Sequence, residues 1–359
     1  MTSATCYPDQ RQMLPLTLIR RERMLPEGVG DARLETSIGA RVGVRDVLVR
    51  GTRPAPVHVL DGLTLLRLRR ASDLTALLDV AIGDRVEAGQ VVAHKGRRKL
   101  QAPAAGAVVL IEHGRILIEE EPERVEVTAG VNGQVLEVDP ARGVVVETYG
   151  ALLQGVWGNG KRAMGALRFE PNAGLDGAGD ALGMQYRGAI VITKRRLKAS
   201  GIALMEAQSI AGLIAPGMEA DVLEAALRAP GPILLIEGFG TARLNPAAQQ
   251  FLTDLEGKQA TLDAAMPSLT APHRPELIVN LPLPALDRPA TPPVQLALQA
   301  GMPVRVMHSD GSSISGQVVE LLPDPQVLEN GLRVLCAQVE LITGERLPVP
   351  LANIEVFGR

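Results

Sequence analysis

Two kinds of hydrophobic patterning divide this chain. Before residue 150 the apolar positions come in short runs punctuated by glycine, as in Ile82-Gly-Asp-Arg-Val-Glu-Ala-Gly-Gln-Val-Val-Ala93 and then Ala102-Pro-Ala-Ala-Gly-Ala-Val-Val109. Gly83-Asp84 and Ala88-Gly89 are turn signals bracketing Arg85-Val86-Glu87, and β-branched residues suit a pleated, half-buried surface. The unit occurs twice. Residues 38–49 align with 82–93, matching Gly39 to Gly83, Arg41 to Arg85, Val42 to Val86 and Val47 to Val91. Residues 102–118 are echoed by 129–146, where Gly106 corresponds to Gly133 and Gly114 to Gly143. Paired, repeated short strands predict a small double-sheeted β domain over 35–165. Residues 1–34 read as an N-terminal lead-in, polar and disordered to residue 12 and extended after it.

A turn-rich seam over 150–179 holds Trp157, which is expected to pack across the domain boundary. From Gly188 the pattern changes. Ala189–Thr193, Gly212–Ala215, Pro232–Ile236 and Glu276–Asn280 read as short strands, and the runs 190–192 and 233–236 lack a polar face, as strands covered on both sides do. Helical spacings separate the first three: 200–211 with Ser200 as N-cap, and 219–229 with acidic residues in its first turn. A further helix starts at Asn245-Pro246, with proline where its missing donor is harmless. This alternation predicts a small parallel α/β domain over 185–282. A proline-rich linker at 283–299 follows, and short strands from 300 to 359 predict a third domain, a small β barrel. The fold class is therefore multidomain α+β.

The "G-D-x-V-x-x-G-Q-x-V" and "A-P-x-x-G-x-V" patterns at 83–92 and 102–108 resemble the biotinyl/lipoyl carrier family and its unmodified barrel-sandwich hybrid relatives. The resemblance implies a barrel-sandwich hybrid and, in true carriers, a lysine on an exposed hairpin for the prosthetic group. Biotin carriers set that lysine between methionines. Here the connection His94-Lys-Gly-Arg-Arg-Lys99 is shorter than a biotin hairpin, and no methionine flanks Lys95 or Lys99. A solvated basic turn on an unmodified domain is the expectation, with no cofactor. Residues 300–359, with "V-P-x-x-N-I-E" at 349–355, resemble an SH3-like barrel of the KOW type, which implies transcription or ribosomal relatives.

Composition narrows the chemistry. Hydrophobic residues make up 46% of the 359, ample for packed cores, but aromatics are only 2%, so those cores rest on Val, Leu, Ile and Ala. The net charge of −3 gives no general pull toward nucleic acid or anionic lipid. Cys6 and Cys336 read as reduced thiols of a cytoplasmic protein. No apolar run approaches the roughly 20 residues of a membrane span, and Arg20-Arg21 follow the apolar stretch 13–19 where a secretory signal would have them precede it.

His58, His94, His113, His273 and His308 lack metal-ligand spacing, and no Ser/His/Asp constellation is visible. Open parallel sheets bind ligands beyond the strand C-termini. The candidate crevice is Lys194, Arg195, Gly217, Glu237, Gly238 and Gly240, with the two cations meeting an anion; Glu237–Gly240 reads equally as a plain strand-to-helix turn. The reading adopted is a non-catalytic scaffold or adaptor that binds protein partners. The alternatives are a nucleic-acid-associated factor acting through the C-terminal barrel, which is poor in aromatic and basic residues, or a nucleotide- or anion-binding accessory protein using the crevice.

Overall fold

A computed structural model describes residues 9–175, 177, 182–267, 273–282, 297–308 and 312–357. The chain is mostly β, distributed over several sheets. It divides into two compact units: a larger one of Met1–Arg21, Gly130–Gln134 and Glu147–Arg359, and a smaller one of Glu22–Ala129 with Val135–Val146. The linker expected at 283–299 lies outside the described residues up to 296, as do residues 1–8 of the lead-in.

In the smaller unit the sequence repeat recurs bond by bond. Gly83 N–H donates to Val108 O and Val108 N–H to Asp84 O; Gly39 N–H donates to Val135 O and Val135 N–H to Ala40 O. Gln90 N–H donates to Glu87 O and Asp46 N–H to Gly43 O, while Gln90 O accepts from Ala102 and Asp46 O from Ala129. The side chains of Gln90 and Asp46 also accept from Glu87 N–H and Gly43 N–H. Gly39 and Gly83 sit at φ +83° and +95°, where an L side chain is strained. The two halves therefore use one turn chemistry to bury equivalent residues: Val42 with Val135, and Val86 with Val108.

Val57–Asp61, Arg115–Glu119, Gly106–Glu112 and Arg85–Val86 form a four-stranded sheet in that order. Glu123–Thr128, Val47–Arg53 and Gly30–Leu34 form a three-stranded one. A third element is the hairpin Val91–Lys95/Arg98–Gln101. Leu66, Leu74, Val92, Leu100, Ile116 and Ile118 make one core. The lead-in has to be corrected, because residues 13–24 form a strand and Gly30–Leu34 pairs antiparallel with Val47–Arg53.

The larger unit holds a mixed sheet. Arg162–Phe169, Ile190–Ile192, Gly212–Met218 and Ile233–Phe239 are parallel neighbours. Gln259–Asp263 and Glu276–Asn280 extend the sheet antiparallel, and Gly150–Gln154 pairs antiparallel beyond them. Ile190, Ile192, Ile214, Leu234 and Ile236 pack on one face with Ala248 and Leu252 of helix Pro246–Asp254. Val191, Leu213, Ala215, Ile233 and Leu235 pack on the other with Ile202 and Met205 of helix Ala199–Ala207. Successive side chains alternate faces and both faces are covered, so these runs have no polar positions.

Several expectations change here. The seam at 150–179 contains Arg162–Phe169, an internal strand, so the boundary expected at 165 is not where the compact units divide. Trp157 stacks edge-on against Phe239 at 5.7 Å, inside the larger unit. Glu276–Asn280 is antiparallel. Ser200 is not an N-cap, since the helix starts at Ala199 after Lys198. Residues 219–229 form a 3-10 turn, Ala220–Val222, running into a short helix, Leu223–Arg228.

The C-terminal part of the same unit is a six-stranded sheet ordered Asp9–Arg11, Ile354–Phe357, Pro303–Met307, Ser313–Leu321, Cys336–Leu341 and Arg346–Pro350. Its core contains Val304, Val306, Val318, Val339, Val349 and Ile354. The first strand comes from the other end of the chain and pairs parallel with the last. The strand expected at 332–335 is reduced to Arg333–Val334 in a two-stranded ribbon, and Leu332 and Leu335 stay exposed.

Candidate functional site

The parallel strands end at Ile192, Met218 and Phe239, and the structure separates the six residues expected around those ends. The three glycines serve the backbone. Gly217 pairs with Gly238, and a Cβ on Gly217 would lie 2.6 Å from Gly238 O. Gly240 donates its N–H to Met218 O at 2.8 Å, with φ +117° for Gly240 and +107° for Gly238. Lys194 donates its backbone N–H to Glu170 Oε1 at 2.7 Å, and its ammonium lies 5.4 Å from the Phe169 ring centroid, a cation–π distance. The Arg195 carbonyl accepts from Thr193 Oγ1 at 2.8 Å. Neither Lys194 nor Arg195 lines the cleft of ≈ 760 Å³ where Glu237 sits with Thr241, Arg243, Asn245, Ser313 and Ile342.

Glu237 instead belongs to a buried charge quartet. Arg11 on the first strand and Arg305 on Pro303–Met307 both reach it, and both also hold Glu355 on the last strand. Arg305 Nη1 donates to Glu237 Oε2 at 2.7 Å and Arg305 Nε to Glu355 Oε2 at 2.9 Å. Arg11 Nη2 donates to Glu355 Oε2 at 2.7 Å and lies 3.4 Å from Glu237 Oε2. Arg11 also donates to the Ile236 carbonyl, at the foot of the Glu237 turn. Side-chain exposure is 2–5% across the four, so two cations and two anions neutralise one another away from water.

The balance is not even within the quartet. Glu237 Oε1 is buried with no hydrogen-bond partner. Burial pushes the Glu237 carboxyl up to about 7; Arg11 pulls the other way, Glu355 adds to the rise, and the Asn245 backbone N–H opposes it. Glu237 is thereby shifted toward its neutral form relative to an ordinary carboxyl. Arg11, Arg305 and Glu355 escaped the sequence reading. For Arg305 and Glu355 the only local signature is a charge inside an apolar strand, Val304-Arg-Val306 and Ile354-Glu-Val356, which alternation reads as a solvent-facing position; Arg11 lies in the polar run Asp9-Gln-Arg-Gln12.

In the smaller unit two surfaces stand out. On the outer face of the four-stranded sheet, Val59 is opposite Leu117, which is opposite Leu110. Val57 (48% exposed), Val59 (56%) and Leu110 (40%) are open to solvent, whereas neighbouring Leu60, Ile116 and Ile118 point into the core. The other surface is the hairpin tip, where Lys95 Nζ donates to the Arg67 carbonyl at 3.2 Å and Gly96 takes φ +60°.

Among the described residues no group of three or more His, Cys, Asp or Glu could hold a metal ion, and no helix is long and apolar enough to cross a membrane. Comparison of the chain with protein-family models and with curated proteins finds no match.

Proposed function

We propose that the protein is a non-catalytic scaffold whose smaller unit is an unmodified, carrier-like barrel-sandwich hybrid that binds a protein partner. The observation that carries this reading is the apolar row Val59–Leu117–Leu110 with Val57 beside it. Single exposed apolar residues are ordinary, but a contiguous row across three strands is a surface suited to burial by another protein. The bond-by-bond repeat supports the hybrid fold, and the tethering of Lys95 to the Arg67 carbonyl supports a hairpin without a swinging arm. The larger unit contributes an α/β sheet and an SH3-like, KOW-type barrel in a cytoplasmic protein.

Affinity capture from the native extract, comparing wild type with a Val57→Asp/Val59→Asp double variant, tests the reading. Wild type should retain a protein partner that the double variant loses while keeping its melting temperature. Equal retention by both, or capture by neither, refutes the reading. Intact-mass measurement of the native protein should return the bare sequence mass; a prosthetic group on Lys95 or Lys99 would overturn the unmodified assignment.

A further inference from the structure

The hairpin tip does not stand alone. Asp61 caps the short helix Gly62–Leu66 by accepting from Thr64 N–H at 3.1 Å, and Arg67 ends it in the left-handed region at φ 49°. That turn sends Arg69 and Arg70 out to solvent, and the Lys95–Arg67 hydrogen bond joins this segment to the hairpin. Lys95 and Arg98 are register partners, as are His94 and Lys99, and Arg67, Arg69, Arg70, Lys95, Arg97 and Arg98 are all exposed. Two nearby carboxylates are already engaged: Asp73 accepts from the Arg70 backbone N–H, and Asp79 from His94 Nδ1 at 2.8 Å. Among the described residues none of these six cations is in an ion pair. A chain of net charge −3 thus places six exposed cations outside any ion pair on the hairpin and the segment joined to it.

We infer that this basic hairpin surface docks an acidic, Asp/Glu-rich segment of the partner protein. The inference rests on the scaffold reading and names the partner's chemistry. Five of the six cations named, all but Lys95, are arginines, whose planar forks match carboxylates two bonds at a time. Phosphates fit the same forks, but residues 22–146 contain no Phe, Tyr or Trp, so base stacking and an interfacial aromatic anchor are both missing. Leu65, 55% exposed on the helix that Arg67 terminates, adds an apolar contact of the kind protein interfaces combine with arginine.

Fluorescence anisotropy on the full chain tests this with three probes of matched charge: a labelled Glu-rich peptide, a DNA duplex, and vesicles containing phosphatidylserine. The peptide should bind tightest, and its binding should weaken as salt shortens the range of the field. Arg97→Glu/Arg98→Glu should weaken peptide binding about tenfold or more, while Arg41→Glu/Arg45→Glu, an equal charge change elsewhere on the unit, should alter it by less than about threefold. Tighter binding of duplex or vesicle, no peptide binding, or equal loss in both variants overturns the inference. If peptide binding fails while the Val57/Val59 face still captures a partner, this inference alone falls; if capture fails while the peptide binds at the hairpin, the apolar-face scaffold reading falls.

Discussion

Replacing Glu237 with glutamine should change the pH dependence of stability more than stability itself. Glu237 is an acid whose folded pKa, about 7, stands above its ordinary value of 4.5. Between those two values the unfolded chain has released the proton and the folded chain still holds it, so stability falls as pH rises. Each unit of difference is worth about 1.4 kcal/mol, so ionising this one group costs about 3 kcal/mol in all, fully expressed above pH ~7 and absent below pH ~4.5. Glutamine mimics the protonated carboxyl and cannot ionise. Glu237→Gln should therefore match wild type near pH 4 and exceed it by about 3 kcal/mol at pH 8. Urea titrations read by tryptophan fluorescence suit the measurement, because Trp157 is the only tryptophan and packs on Phe239, two residues from Glu237. If wild type instead gained stability relative to the variant from pH 5 to 8, the pairing with Arg11 and Arg305 would outweigh burial and the reasoning would fail.

Two further outcomes follow from backbone geometry. Gly217→Ala places a Cβ against the Gly238 carbonyl, which cannot swing away as a side chain would, so urea denaturation should show a loss of about 1–3 kcal/mol with no ligand present; an unchanged midpoint would return these glycines to a ligand role. Gly39→Ala and Gly83→Ala meet open space and differ only by backbone strain at matching φ, so each should cost about 1 kcal/mol and the two costs should agree within about 0.5 kcal/mol by thermal unfolding. Unequal costs would show that the two repeats do not share one turn energy.

What the sequence determined by itself is local and periodic. The glycine-hinged repeat carries its turn signals in adjacent residues, so Gly39 and Gly83 were legible from spacing and then recur in matching hydrogen bonds, whereas the parallel roles of the Asp46 and Gln90 side chains appear only in the structure. The apolar runs around Ile190, Leu213 and Ile233 were legible because a strand buried on both faces leaves no polar position. Helix Pro246–Asp254 was legible because Asn245 caps it by a bond two residues long. Strand direction was not: Glu276–Asn280 has the composition of a parallel strand and lies antiparallel. Nor was the company Glu237 keeps. Lys194 and Arg195 looked like its neighbours from strand order, yet its partners Arg11 and Arg305 come from positions 226 and 68 residues away. A charge inside a strand reads as solvent-facing until its distant partners, here Arg11 beside it in the sheet and Glu237, are placed against it. Only the tertiary structure could bring Arg11, Arg305 and Glu355 around Glu237 into one buried quartet, because desolvation depends on what is near in space and not on what is adjacent in sequence.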